Sequence, residues 1–502
     1  MLASWGAFAL SAVAGLFLSP FVVHTLGASG FGVWVLIGSL TGTLNIFDLG
    51  MRSAVTRFVA REHAREDHEA ASASVGTARV LFLAAGATVL MIGAVLAVGL
   101  PYWFSVPPDL RDPARVVLMV SATSLAVVLT NGLYGGVLAG LQRLDVLGMT
   151  DVALEALRIG LVLAVLSLGA GLVGLALIGL LLSLLRRAIL QRKVATLYPE
   201  LGTSLRRPAA ADVRLILSVS AYSTIIYSSV SAITQATELV VGAFLPLAML
   251  SYYAIGATLP IYAHALNRPI AQTVHPRASR LESLGDVDGL RALILTTGRF
   301  SALVLFPLVI TFIVRGRSFV DIWMGAEFKE PAGGVLAVLG VGLLFAGTRH
   351  VMQAAFVGSG RHKPLGPWYV GEAIVVVVAT LVVVPRWGIV GAAWATVLPS
   401  VLLSVVVFPL LCRQHFDVPP LAVWARFWFQ PALAMLPFLG ASLLFEARLP
   451  VESYLGFFTQ VFASLPFAAI GALSVGLSQS ERATLLTPMR GFVARMRLSL
   501  RS

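Results

Sequence analysis

The sequence predicts an all-α polytopic membrane protein with about 14 transmembrane helices, arranged as two pseudo-symmetric six-helix lobes and a C-terminal helix pair. Three observations support this class: the composition, the long apolar segments and a weak internal repeat. Of the 502 residues, 58% are hydrophobic and 12% are charged. A soluble domain carries about 25% charged residues, so this composition indicates a chain surrounded by lipid.

The apolar segments define the predicted spans, because a helix that crosses a bilayer needs roughly 20 apolar residues. The first segment has no basic start and is long enough to span, so it is predicted to be a helix rather than a signal peptide. The fifth and sixth spans are separated by Gly169–Gly171 alone. The predicted spans lie near 2–24, 31–56, 80–104, 115–140, 147–169, 171–190, 213–240, 246–274, 291–314, 332–358, 366–384, 388–411, 422–445 and 453–478.

The internal repeat relates the first part of the chain to a second part about 217–219 residues later. Glu155 and its two neighbours match Glu372 and its neighbours, and Gly171–Gly174 recurs as Gly388–Gly391. Duplication of this kind is typical of transporters, in which two related bundles move about a site between them.

The repeat and the charges predict the domains and the orientation. We expect an N-terminal lobe at 1–200, a C-terminal lobe at 201–415, and a helix pair with a basic tail at 416–502. Most of the 36 Lys and Arg residues fall in alternate loops and in the tail, so the positive-inside rule places both termini in the cytoplasm. The net charge of +12 then indicates contact with anionic membrane lipid and not with nucleic acid.

Catalytic and metal-binding motifs are missing from the sequence. It has one cysteine, Cys412, and no P-loop, zinc-binding His pair or nucleophile elbow. We therefore predict no enzyme activity, no cofactor and no metal. A membrane glycosyltransferase or glycan ligase is the remaining alternative of this kind. It is disfavoured because the longest predicted outer loop, Arg315–Pro331, is short, and the acidic residues Asp321 and Glu327 that it contains are six residues apart.

Polar residues inside the second span are the first candidates for a functional site, because ionisable groups in a membrane are costly. Asn45, Asp48 and Arg52 are spaced i, i+3 and i+7, so a continuous helix would place them on one face, with Asp48 and Arg52 able to pair. At the repeat offset of 219, Asp48 aligns with Asn267 of the eighth span.

Further candidates lie in other spans. The eighth span also carries His264 and Arg268, while Arg158 and Arg349 lie deeper in the fifth and tenth spans. Two plainer interpretations stay open: arginines near an interface can extend their heads to water, and Arg158 can simply pair with Glu155.

Several motifs carry a resemblance to a known family. Leu26-Gly27, Gly30–Trp34, Phe47–Met51, Thr56–Arg61 and Ala139–Arg143 occur in the order seen in the bacterial polysaccharide transporters. The chain resembles these lipid-linked oligosaccharide flippases, which belong to the multidrug, oligosaccharidyl-lipid and polysaccharide exporter superfamily. The resemblance implies two lobes in a V, a central cavity between them, and a location in the bacterial cytoplasmic membrane.

The resemblance also implies a cargo, a polyprenyl-diphosphate-linked glycan moved by alternating access for surface polysaccharide assembly. Glycosyltransferases and a glycan polymerase are the expected partner enzymes, and H⁺ or Na⁺ the expected coupling ion. Because guanidinium groups bind phosphate oxygens bidentately, arginines are the expected diphosphate ligands. The predicted cargo-binding residues are Arg52, Arg268, Arg349, Arg158, Asn45 and Asn267. The predicted coupling or gating residues are Asp48, Glu238 and His264.

Two relatives of the same superfamily give alternatives. The peptidoglycan-precursor flippases typically have arginines in their first helix, and this chain has none before His24, which argues against that branch. A cation-coupled multidrug exporter stays open, because such exporters depend on acidic residues and Asp48 and Glu238 are available here.

Overall fold

The computed structural model describes residues 2–199 and 210–477, and within these ranges the chain forms helices and no β-strand. The predicted all-α class is confirmed. The first eight α-helices are α1 (Leu2–Leu44), α2 (Met51–His63), α3 (His68–Trp103), α4 (Arg111–Gly140), α5 (Leu144–Ser167), α6 (Gly171–Leu197), α7 (Ala210–Phe244) and α8 (Leu247–Ser283). The others are α9 (Val287–Met324), α10 (Ala326–Gly358), α11 (Leu365–Leu402), α12 (Phe408–Phe416), α13 (Pro420–Trp424), α14 (Gln430–Ala434), α15 (Leu436–Arg448) and α16 (Tyr454–Gly471).

Eight helical segments of the described chain are long and apolar enough to cross a membrane, or nine if the bent pair Pro420–Ala434 and Leu436–Arg448 is one span. Two of the eight, Ala14–His63 and Leu365–Phe416, have 50 and 52 residues. At 1.5 Å per residue each is about 75 Å long, enough to cross a core of about 30 Å twice. The predicted number of 14 spans stays a prediction.

Glycines with positive φ divide these long segments. α1 is interrupted at Gly27 (φ 70°) and α11 at Gly388 (φ 60°), which are the places where the sequence predicts one span to end and the next to begin. The predicted division between the fifth and sixth spans is confirmed, because α5 ends at Ser167 and α6 begins at Gly171.

The repeat in the sequence is also present in the backbone. Gly171 and Gly388, at offset 217, both have positive φ, with values of 57° and 60°. Glu66 and Gly285, at offset 219, have φ of 57° and 65°. Positive φ occurs at twelve of the described residues, so its recurrence in two pairs at the repeat offset supports the register that was read from the sequence.

Helix starts recur at the same offset. Asp67 caps α3 by accepting from the Ala70 backbone N–H at 2.9 Å. Asp286 caps α9 by accepting from the Gly289 N–H at 2.8 Å. The two halves of the chain therefore begin their third helices with the same capping chemistry.

The second predicted span is not one continuous helix, and this part of the prediction was wrong. α1 ends at Leu44, a 3₁₀ turn covers Asn45–Asp48, and Leu49 and Gly50 have φ of 47° and 68° before α2 begins. Two consecutive left-handed residues cannot belong to an α-helix, so the i, i+3, i+7 face does not exist. The ion pairs of the described residues do not include one between Asp48 and Arg52.

The predicted outer loop Arg315–Pro331 was also wrong. α9 continues to Met324 and α10 begins at Ala326, so the connection is Gly325, whose φ of 100° turns the chain. Arg315 is buried, where its Nε donates to Glu446 at 3.2 Å.

By their internal contacts the residues fall into two compact units. One contains Met1–Ala254 and Leu365–Ala392, and the other contains Ile255–Pro364 and Ala393–Ser502. The predicted division at residues 200 and 415 stays a prediction.

Candidate functional site

Glycines on α4 determine where α2 lies. A Cβ added at Gly136 would be 2.9 Å from Val55 Cγ1 and 3.0 Å from the Arg52 carbonyl oxygen. One added at Gly140 would be 2.9 Å from the Thr56 carbonyl oxygen. These two glycines are four residues apart and so share one face of α4, which lets the backbones of α2 and α4 approach closely.

The same face of α4 continues beneath the break in the second span. A Cβ at Gly132 would lie 3.7 Å from Asp48 Oδ1, and one at Gly135 would lie 3.5 Å from Arg52 Nε. The side chains of Asp48 and Arg52 therefore lie against glycines of α4. Because glycine has no side chain, both charged groups fit between α4 and the break in the helix.

A pocket of about 710 Å³ opens at this break, within the size range typical of ligand sites. Asp48 and Arg52 are the charged residues of its lining, and Asn45 contributes an amide. Arg52 and Asn45 are exposed, while Asp48 is half-buried. The hydroxyl-bearing residues of the lining are Thr43, Ser53, Thr56, Ser228 and Ser231.

The chemistry of this lining suits an anionic, hydroxyl-rich ligand. Arg52 offers a guanidinium fork, and the Asn45 amide can both donate to and accept from sugar hydroxyls. Thr43, Ser53 and Thr56 donate their hydroxyl hydrogens to backbone carbonyl oxygens, so their own oxygens are available as acceptors. α2 begins in the pocket wall at Met51, and its N-cap residue Gly50 provides no side-chain hydrogen bond. The positive end of the helix dipole therefore adds to the attraction that Arg52 exerts on an anion.

The other predicted arginines lie outside this pocket. Arg158 pairs with Glu155 through two bonds, of 3.0 Å from Nε and 2.6 Å from Nη2. Arg349 is buried, with 4% of its surface exposed, and its guanidinium lies 5.8 Å from the centre of the Phe408 ring. Arg268 belongs to α8, and its side chain lies outside the described residues.

The remaining candidates are in packed surroundings. Asn267 is 2% exposed; its amide donates to the Gly347 carbonyl oxygen at 2.8 Å and accepts from Ser301 Oγ at 2.8 Å. Both ends of this amide are used inside the protein. His264 lies edge-on against His350, with 4.5 Å between ring centroids.

Glu238 on α7 contacts α1, where its carboxylate is hydrogen-bonded to Ser39 Oγ. Ser39 Oγ also lies 2.9 Å from the Val35 carbonyl oxygen. A hydroxyl has one hydrogen, so it donates to both oxygens only in turn, unless the carboxyl is protonated and donates to Ser39. Among the described residues no group of three or more His, Cys, Asp or Glu side chains could hold a metal ion.

Sequence reasoning identified Asn45, Asp48 and Arg52 but missed the hydroxyl lining and the glycines that support it. The glycine face was visible in the sequence, since Gly132, Gly136 and Gly140 recur every four residues, a spacing typical of closely packed membrane helices. The serines of α7 gave no comparable signal, because only the fold brings them to the pocket.

The fold defines the class: this is a polytopic helical membrane protein with the fold of the superfamily that includes the MATE transporters. It matches an inward-facing MATE-family multidrug resistance transporter of the MOP superfamily with a TM-score of 0.68 and 16% identity, over 82% of this chain and 94% of that chain. A family model described as "Polysaccharide biosynthesis protein" matches residues 4–282. The chain belongs to this polysaccharide biosynthesis family, and the resemblance seen in the sequence is confirmed.

Two further proteins are similar to this chain. A Shigella flexneri protein named "Putative O-antigen transporter" is 20% identical over 380 residues, which are 74% of this chain and 87% of that protein. A MOP-superfamily transporter from Pyrococcus furiosus, described as having a binding pocket of reversed polarity, matches with a TM-score of 0.56 and 16% identity, over 82% of this chain and 95% of that chain.

Proposed function

We propose that this protein is a flippase that moves a lipid-diphosphate-linked oligosaccharide from the inner to the outer leaflet of the bacterial cytoplasmic membrane, for surface polysaccharide assembly. The observation that carries the proposal is the pocket at the break between α1 and α2, where one exposed arginine lies among hydroxyl and amide groups. Membership of the polysaccharide biosynthesis family and the similarity to the O-antigen transporter of Shigella flexneri support it.

The proposed contacts follow from the chemistry of the cargo. Arg52 and the first turn of α2 bind the diphosphate, and Asn45 binds the sugar next to it together with the hydroxyl groups of the lining. Asn267 is left out because both ends of its amide are bonded within the protein. Arg158 is left out because Glu155 neutralises it. Arg268 and Arg349 remain proposed ligands for a later stage of transport.

The proposed mechanism is alternating access without a catalytic step. Both termini lie in the cytoplasm, and the basic tail contacts anionic lipid. Glycosyltransferases supply the glycan on the inner side, and a polymerase consumes it on the outer side. Glu238, Asp48 and His264 are the groups proposed to couple transport to H⁺ or Na⁺ or to gate it; of these, Glu238 makes the hydrogen bond to Ser39 that a change in protonation would alter.

A second candidate function is cation-coupled export of small organic cations. The observation that favours it is Asp48, a carboxylate in the same pocket that could attract a cation. The two functions make opposite demands on Arg52, which attracts an anionic cargo and repels a cationic one.

The test is the export of surface glycan in cells that depend on this protein, normalised to the amount of protein in the membrane. Arg52→Ala is expected to reduce export at least tenfold at normal abundance, and Arg52→Lys to give an intermediate value, because lysine keeps the charge but loses the fork. Arg57→Ala is the matched control, since Arg57 is an exposed arginine of α2 outside the pocket lining. Normal export by Arg52→Ala at normal abundance would refute the proposed diphosphate site.

A further inference from the structure

Asp48 is an unexpected residue to find in a site for an anionic cargo. Its carboxylate lies in the same lining as Arg52, which follows it by four residues in the chain. The groups that would attract a diphosphate are therefore already balanced by a carboxylate of the protein. Of the residues that line the pocket, these two are the ones with formal charges, and their charges are opposite in sign.

The backbone holds Asp48 in this place. It is the last residue of the 3₁₀ turn Asn45–Asp48, and the left-handed Leu49 and Gly50 direct the chain from it into α2. Its Oδ1 lies over the glycine face of α4, 3.7 Å from where a Cβ of Gly132 would be. A carboxylate held near a helix start is a favourable arrangement, so Asp48 partly satisfies the same positive field that an incoming phosphate would use.

A cargo that carries two phosphates must then share Arg52 and the helix start with a fixed negative charge. Repulsion between like charges raises the free energy of the bound state and so weakens binding. For a carrier this is useful, because a ligand held too tightly is released slowly and most differences in affinity appear in the dissociation rate.

We propose that Asp48 is an internal competitor of the cargo phosphates, and that it sets a weak affinity so that the diphosphate is released. The inference rests on the proposed function, because it assumes that the pocket takes a lipid diphosphate. It assigns to Asp48 a role in specificity and release that does not require Asp48 to carry a coupling ion.

The test measures the binding of farnesyl diphosphate to the purified full-length protein in lipid nanodiscs by titration calorimetry, with farnesol as the probe that lacks the phosphates. Asp48→Asn is expected to bind farnesyl diphosphate at least tenfold more tightly than the wild type, and farnesol equally. Tenfold is the effect expected for removing one unit charge about 6 Å from another at an effective dielectric constant of about 40. Asp48→Glu keeps the charge and is expected to bind like the wild type.

Two further variants make the test specific. Asp145→Asn makes the same change of charge outside the pocket, where the hydrogen-bonding Arg143 guanidinium holds the pKa of the Asp145 carboxyl below its usual range; it is expected to leave binding unchanged. Asp48→Ser replaces the charged carboxylate with a smaller polar group. It takes the place of Asp48→Asn in the binding measurement if Asp48→Asn does not fold.

The outcomes separate this inference from the proposed function. If neither Asp48→Asn nor Asp48→Ser binds more tightly while Arg52→Ala loses binding, the competitor role is wrong and the diphosphate site stands. If Arg52→Ala binds farnesyl diphosphate as tightly as the wild type, the diphosphate site itself is wrong. Tighter binding by Asp48→Asn together with slower glycan export per protein supports the inference.

Discussion

Two helix pairs, α2 with α4 and α8 with α10, make the same contact and then differ about two turns away from it. A Cβ on Gly140 would lie 2.9 Å from the Thr56 carbonyl oxygen, and a Cβ on Gly358 would lie 2.5 Å from the His275 carbonyl oxygen. Thr56 aligns with His275 at offset 219, and Gly140 aligns with Gly358 at offset 218. The two halves therefore use equivalent glycines to bring a carbonyl of one helix against the next.

The two helix pairs differ in the backbone six residues before Thr56 and His275. Gly50 has φ of 68° and ends the break before α2, whereas the aligned residue in the second half is Pro269, inside the continuous helix α8. Proline fixes φ near −65°, so the second half cannot form the left-handed turn that the first half uses. Asp48 faces an open pocket, and its counterpart Asn267 is buried and hydrogen-bonded. The comparison teaches that the polar pocket accompanies a left-handed glycine in the first half, whereas a proline occupies the aligned position inside the packed helix of the second half.

The largest effect is expected from a bulky residue on the α4 glycine face. Gly136→Leu would place its Cβ 2.9 Å from Val55 and 3.0 Å from the Arg52 backbone, so α2 must move and the pocket is lost. We expect export of surface glycan to fall more than tenfold, with lower protein abundance in the membrane.

The matched control is Gly160→Leu, because a Cβ on Gly160 would meet no atom within 4 Å. This variant is expected to keep both export and abundance. Normal export by Gly136→Leu would mean that the close approach of α2 to α4 does not position Arg52.

The next effect tests the break itself. Gly50→Pro imposes the backbone of the second half on the first and is expected to lower export about tenfold, because proline cannot adopt the φ of 68° that Gly50 has. Gly50→Ala is expected to retain part of the activity, since a left-handed alanine costs about 1–2 kcal/mol. The measurement is glycan export divided by membrane abundance. Equal export by Gly50→Pro and the wild type would show that the break is not needed.

The sequence predicted the helical class, the repeat and three residues of the pocket, because composition, periodicity and motif order depend on local patterns. It failed at Leu49 and Gly50, which were predicted to lie inside a continuous span. The positive φ values that break the helix there are a property of the backbone and were not predicted from the residue types. It left two interpretations of Arg158 open, and it did not predict the partners of Asn267, because packing decides which groups meet a polar residue within a span. The hydroxyl groups of Ser228 and Ser231 could not be predicted as part of the pocket, because they are distant in the chain from Arg52.

A smaller effect is expected at the counterpart of Asp48. Asn267→Ala removes bonds to Gly347 and Ser301 in a buried place, so the free energy of unfolding is expected to fall by about 1–3 kcal/mol. Asp48→Ala, at an open pocket, is expected to lower it by less. Thermal unfolding of the purified proteins measures both. A larger loss for Asp48→Ala would contradict the contrast between packed and open positions.

The smallest effect is expected at a pair of aligned turns that have the same backbone conformation but different residue types. Glu66 and Gly285 are both exposed and left-handed, with φ of 57° and 65°, yet only the second is a glycine. A left-handed glutamate is strained, whereas glycine adopts this φ freely at some cost in unfolded-state entropy. We therefore expect Glu66→Gly to raise the free energy of unfolding by roughly 0.5–1 kcal/mol.

The reciprocal variant completes the argument. Gly285→Glu is expected to lower the free energy of unfolding by a similar amount, since a Cβ there would meet nothing within 4 Å and only the backbone preference changes. Combining the two exchanges moves the strained residue from one turn to the other, so the double variant should unfold close to the wild-type temperature, as distant sites are additive. If Glu66→Gly and Gly285→Glu shift thermal unfolding in the same direction, the two turns are not equivalent and the repeat does not extend to their conformational energies.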